Sequence, residues 1–100
     1  MDAARAIRIL RAARHLSQRE LADVLGLSPA TVSLLEGGKR RLGGKAMDRL
    51  LDRLAVPAPL FHLLGANEAE IQALGESAAP LAVELVRYIA ARTPKGNLPA

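Results

Sequence analysis

Lys39, Arg40, Arg41 and Lys45 form the densest cluster of charge in the chain, inside a nine-residue stretch that also holds four glycines. Residues 1–65 carry eleven Lys/Arg against six Asp/Glu, a net +5, and residues 66–100 carry three against four, a net −1. A basic patch beside a helix is the electrostatic footprint of a polyanion binder. The other chemistry-bearing residues do not assemble into a catalytic set. His15 and His62 have no nucleophile or metal partner near them in sequence, and His62 in Leu60-Phe61-His62-Leu63-Leu64 reads as a packed helix residue. His15 ends a helix, where a cation suits the dipole. Asp48 and Asp52 stand beside Arg49 and Arg53 and read as solvated ion pairs. There is no cysteine, so no disulfide and no thiolate metal site is available, and a reducing compartment is compatible. No enzyme activity, cofactor or metal is expected.

The cationic stretch follows a segment, residues 17–39, with the punctuation of two short helices. Ser17 and Glu20 make a capping box, and Leu21, Ala22 and Leu25 give one apolar face. Gly26 allows the left-handed turn. Ser28 caps the next helix with Pro29 in its first turn, Val32 and Leu35 bury it, and Gly37-Gly38 end it. Two helices of about eight residues around a glycine turn form a helix-turn-helix unit. Neither is long enough to stand alone in water, so the remaining elements must hold them.

Those elements are helical too. Half the residues are apolar but only Phe61 and Tyr88 are aromatic, a composition led by the best helix formers. Residues 3–15 read as a first helix capped by Asp2, with Ile7, Leu10 and Arg14 on one face and Arg5, Arg8 and Arg11 making another side strongly basic. Leu16 serves as a staple before Ser17. Met47, Leu50, Leu51 and Leu54 have the spacing of a buried stripe over 45–55, and residues 59–64 form a fifth helix closed by Gly65. The expected architecture is all-α: a five-helix domain over 1–65 with a helical extension over 66–92 and a flexible tail over 93–100. In the extension, Asn67 and Glu70 cap a helix over 68–74. A last helix, about 79–92, is apolar nearly all round. A helix of that kind is buried on several sides, and a second copy of itself is the expected partner, through Leu81, Leu85, Tyr88 and Ile89. No secretory leader is expected from the evenly spaced arginines of residues 1–16, and no apolar run approaches the ~18 residues of a membrane span. A cytoplasmic location is expected.

The order of residues from Ile7 to Gly65 resembles the phage repressor and Cro-like helix-turn-helix regulators, the xenobiotic-response-element (XRE) family. The resemblance rests on Ile7-Arg8-Ile9-Leu10-Arg11, on Leu16-Ser17-Gln18-Arg19-Glu20-Leu21-Ala22, and on Gly26-Leu27-Ser28. It continues through Thr31-Val32-Ser33, Leu35-Glu36-Gly37-Gly38-Lys39, Leu54-Ala55-Val56 and Leu63-Leu64.

The resemblance implies a sequence-specific, double-stranded-DNA-binding transcriptional repressor that meets a palindromic operator as a homodimer. The second motif helix would enter the major groove, with Ser28, Pro29, Ala30, Ser33 and Leu34 facing the bases. Gln18, Arg19, Thr31, Lys39, Arg40 and Arg41 would meet phosphates. The base-facing set lacks the Gln or Arg able to pair bidentately, so direct readout should be thin. Glu36 would pair with Arg11 as a structural strut. The sequence departs from relatives at Gly43-Gly44, where Pro and Ser commonly precede the fourth helix, which implies a flexible loop. Small proteins of this fold also act as antitoxins, so an alternative is that residues 66–92 bind a toxin or another regulator while the domain autoregulates its own operator.

Overall fold

The computed structural model describes residues 1–92, and every regular element among them is helical. The chain runs α1 (Ala3–Ala13), α2 (Gln18–Leu25), α3 (Pro29–Glu36), α4 (Gly44–Arg53), α5 (Ala58–Gly65) and α6 (Glu68–Leu74). A single 3-10 turn (Gly75–Ser77) then leads into α7 (Ala78–Arg92). The five-helix domain and the helical extension stand as expected. The tail expected over 93–100 lies outside the described residues.

Helix starts follow the side-chain caps. Asp2 accepts from the Arg5 N–H at 3.0 Å, the Ser17/Glu20 box closes at 3.0 and 2.9 Å, and the Asn67/Glu70 box closes at 2.8 and 3.2 Å. Helix ends are less regular. Gly26 (φ 69) and Gly38 (φ 72) take the left-handed conformation after α2 and α3. The same conformation ends α1 and α4, but there it falls on His15 (φ 57) and Ala55 (φ 50). Leu16 N–H reaches back to the Arg11 carbonyl, and Val56 N–H to the Leu51 carbonyl, each at 3.0 Å. These are Schellman closures made without glycine. A left-handed residue bearing a Cβ costs about 1–2 kcal/mol. Burial of Val56 and partial burial of Leu16 against the core offset it. Both helices therefore stop two residues before their expected ends at 15 and 55.

Ile7, Leu10, Leu21, Leu25, Val32, Leu35, Leu50, Leu54, Leu60 and Phe61 form one continuous core. α1 lies against α5 and α3, and α2 against α3 and α4. At the end of α5 the chain passes close to its own start: Asp2 N–H donates to the Gly65 carbonyl at 2.7 Å. A Cβ on Gly65 would stand 2.6 Å from the Asp2 carbonyl oxygen.

α7 belongs to this same core. Tyr88 is only 5% exposed. Its hydroxyl donates to the Leu54 carbonyl at 2.6 Å and accepts from Arg14 at 3.0 Å, while Arg14 also donates to Leu54 at 2.9 Å. Leu81, Leu85 and Ile89 are packed against the cluster, and the Arg92 guanidinium sits 4.1 Å from the Tyr88 ring centre. Of the four residues expected to meet a second chain, Tyr88 is buried in its own domain, and Leu81, Leu85 and Ile89 are partly buried against the same cluster. The opposite face of α7 is also apolar and stays in solvent, with Val83 48% and Val86 66% exposed and Ala79, Ala82 and Ala90 beside them.

Gly65→Ala is expected to destabilise the fold by roughly 1–3 kcal/mol, the usual cost of overpacking, because the Asp2 carbonyl is main chain and cannot rotate away. Urea unfolding followed by circular dichroism measures it, and an unchanged midpoint would refute the close approach.

Candidate nucleic-acid interface

α3 ends on Glu36, a carboxylate 6% exposed that an apolar neighbourhood would not tolerate alone. Two elements, α1 and α2, satisfy it. Arg11 of α1 meets it as a fork, Nε to Oε2 at 2.6 Å and Nη2 to Oε1 at 3.1 Å. Gln18, the first residue of α2, donates its Nε2–H to Oε1 at 2.9 Å. Arg8 donates to the Glu36 main-chain carbonyl, and Arg11 also holds the Leu16 carbonyl at 3.1 Å. Burial pushes the Glu36 carboxyl up. The hydrogen bonds from Arg11 and Gln18, with the charges of Arg11 and Arg8, outweigh that and hold it below the usual carboxylate range. The same hydrogen bond to Glu36 raises Arg11.

This arrangement sorts the cations. Arg5 donates to the Leu64 and Ala66 carbonyls, so the basic side of α1 is turned to the domain's own carbonyls and acid. Arg49 and Arg53 do not pair with Asp48 and Asp52 as the sequence suggests. They donate to the last carbonyls of α2, Arg49 to Leu25 at 3.1 Å and Arg53 to Val24 at 2.7 Å. A helix C-terminus offers unpaired carbonyls and the negative end of its dipole, and both attract a guanidinium. Gln18 likewise turns its amide to Glu36, a bond the sequence reading did not anticipate. By contrast, the side chains of Arg19, Lys39, Arg40, Arg41 and Lys45 are exposed and have no hydrogen bond or ion pair among the described residues. Lys39, Arg40 and Arg41 stand on the loop after α3, and Lys45 stands in the first turn of α4. Thr31, Arg40, Arg41 and Lys45 line a depression of about 350 Å³ together with Gly43 and Gly44, where α4 begins. That helix start has no side-chain cap.

Ser28, Pro29, Ala30, Ser33 and Leu34 are all exposed on α3, Leu34 at 43%. The Ser28 hydroxyl accepts the Thr31 N–H at 3.1 Å and lies 2.9 Å from the Thr31 hydroxyl, so it is engaged in capping. Ser33 brings the one hydroxyl of this outer set that has no partner within the described residues. The outer surface of α3 is thus small, mostly apolar and flanked by free cations, and it is presented by a helix held rigidly through Glu36. His62 is exposed, with Nδ1 3.0 Å from the Met1 sulfur, and not packed as the sequence suggests. No helix among the described residues is long and apolar enough to cross a membrane.

A family model described as helix-turn-helix matches residues 7–61, the span from the middle of α1 through the first half of α5. Neither the curated proteins nor the solved structures contain a match.

Arg11→Ala and Glu36→Gln are each expected to lower stability by about 2–4 kcal/mol, between a surface pair and a fully buried one. The pH dependence has a definite sign. A carboxyl whose folded pKa is depressed contributes stability above its unfolded value, near 4.3, and loses it as pH falls through the folded value. The wild-type chain should therefore lose stability below about pH 4.5, and Glu36→Gln should lose less over the same window. Urea midpoints at a series of pH values measure both, and parallel acid limbs for the two proteins would contradict the assignment.

Proposed function

The chain belongs to the XRE-type helix-turn-helix family of DNA-binding transcription regulators, and from that premise we propose that it represses transcription by binding a palindromic operator as a homodimer. The observation that carries this reading is the division of cations described above: in residues 1–65 most arginines are engaged by the domain's own carbonyls or acid, while the unengaged Arg40, Arg41 and Lys45 stand beside Thr31 of α3. With α3 in the major groove, Arg19, Lys39, Arg40 and Arg41 reach phosphates, and Thr31 lies at the same edge. Such contacts supply affinity and register without reading sequence. Gln18 contributes its place at the start of α2, where backbone N–H groups and the dipole favour an anion, while its side chain braces Glu36. Ser28, Pro29, Ala30, Ser33 and Leu34 face the bases. Ala30 and Leu34 are suited to thymine methyls and Ser33 to a single weak hydrogen bond. This reading places the protein in the cytoplasm, at the nucleoid.

The dimer surface consistent with the fold is the outer face of α7, not the inner one. Ala79, Ala82, Val83, Val86 and Ala90 share one stripe at helical spacing. Glu84 and Arg87 run along one edge of it. In an antiparallel pair, the same edge of each helix meets its counterpart, so Arg87 of one copy would stand opposite Glu84 of the other. Small residues let the two helices approach closely.

Arg40→Ala and Arg41→Ala are expected to weaken binding to every duplex and to flatten the slope of log K against log salt by about one unit each. Fluorescence anisotropy across a salt series reads this, and an unaltered slope would remove the phosphate contact. Selection from random duplex DNA should return inverted half-sites about 34 Å apart, and Val86→Asp should convert a dimer in sedimentation to a monomer. A wild-type monomer, or selected sites without symmetry, would defeat the dimeric reading.

A further inference from the structure

A second groove lies on the other side of the cationic loop. It is an open groove of about 600 Å³ between the start of α1 and the loop after α3, within the range of about 300–1,000 Å³ usual for small-molecule sites. Ala3, Ala4, Leu42 and Met47 give it apolar walls over the buried Ile7 and Leu35, and Arg40 and Arg41 line it as well. The same two arginines line the depression beside Thr31 and Lys45. They are therefore shared between the DNA-facing surface and an apolar groove, and among the described residues nothing neutralises them. The carboxylate at the groove, Asp2, is occupied in capping α1 through the Arg5 N–H. Gly37-Gly38 and Gly43-Gly44 bracket the loop, and Leu42 is its one apolar anchor.

We infer that this groove binds a small amphipathic carboxylate, with its apolar body against Ala3, Ala4, Leu42 and Met47 and its head on Arg40 and Arg41. Bound there, the carboxylate competes with DNA phosphate for the same guanidinium groups, which makes the groove an inducer site. Apolar burial supplies the attraction. The charge-assisted hydrogen bonds orient the head and draw the arginines from the duplex. A hydrocarbon without the head would bind without releasing DNA, and an acid without the body would be too weakly held. The competition rests on the DNA-binding reading; the occupancy of the groove does not.

Octanoate is a suitable probe. The chain's two methionines, Met1 and Met47, both line the groove, so 13C-methyl methionine labelling reports on it directly. Octanoate should shift both methyl signals saturably and weaken duplex binding about tenfold at constant ionic strength, the order expected when two phosphate contacts are lost. Acetate and octanol at equal concentration should leave DNA affinity unchanged. Ala4→Phe, which fills the groove away from the loop, should abolish the methyl response while duplex binding in the absence of octanoate persists. A retained helical circular dichroism spectrum and urea midpoint check that this variant is folded; if it is not, the wild-type titration alone decides. Absence of a saturable shift would overturn the site. A shift with no change in DNA affinity, or equal release by octanol, would overturn the competition. Failure of the ligand-free protein to bind any duplex would instead sink the function proposed above, and the methyl titration would still judge the groove.

Discussion

The carboxylate of Glu36 is the constraint on which the rest of the structure depends. It lies at the last residue of α3, out of water, and it cannot remain there without donors. Arg11 and Gln18 provide them from α1 and α2, and Arg8 ties down the main chain of the same residue. The bonds differ in what they fix. The Arg11 fork sets the orientation of the carboxylate as well as its distance. The Gln18 amide couples it to the first turn of α2, so the angle between the two motif helices is set by polar contacts as well as by the packing of Leu21, Leu25, Val32 and Leu35. Apolar packing alone tolerates small rearrangements; a fork at hydrogen-bond distance does not. The outer face of α3 inherits that rigidity.

A second principle governs the arginines. Helix C-termini leave carbonyls without intrahelical partners, and this chain closes several of them with guanidinium groups. Arg49 and Arg53 from α4 cover the end of α2, Arg5 covers the end of α5, and Arg14 with the Tyr88 hydroxyl covers Leu54 at the end of α4. Each contact joins two elements distant in sequence and places a cation at the negative end of a dipole. The net charge of residues 1–65 therefore overstates what is available to an outside anion. What remains free is Arg19 and the loop cations, and their localisation carries more information than their number.

The helix starts, the motif and the five-helix order were legible because their signals are local: a cap, a glycine, an apolar stripe. The Arg11–Glu36 contact was anticipated only through resemblance, since nothing in the spacing of residues 11 and 36 specifies it. The ends of α1 and α4 were misplaced because their left-handed residues are His15 and Ala55, which carry no glycine to mark them. The partners of Arg49 and Arg53 were misread because an adjacent Asp is a local cue, whereas the end of α2 is visible only in three dimensions. For α7, composition showed that more than one face is apolar but not which face the domain takes. Tyr88 decides that: its hydroxyl needs a buried acceptor, and the Leu54 carbonyl is one.

The chemistry left on the outer face of α3 limits how a duplex is distinguished. A bidentate side chain would contribute about 1–3 kcal/mol of discrimination at one base pair, and no residue among Ser28, Pro29, Ala30, Ser33 and Leu34 can form such a pair. Under the proposed function, discrimination then falls to the shape of the DNA, read through phosphate positions that vary with groove width and bending. Reading shape requires cations at controlled places. The loop meets that requirement at its two ends only. The Lys39 N–H is held by the Leu34 carbonyl at 2.9 Å, and Leu42 is anchored on the core. Between these points Arg40 and Arg41 are confined to a short span, yet their side chains remain unpartnered. The loop can thus follow a backbone of suitable shape at little cost. Because it also lies over an apolar groove, whatever displaces Leu42 or attracts those two guanidinium groups alters the spacing of the charges that would do the reading.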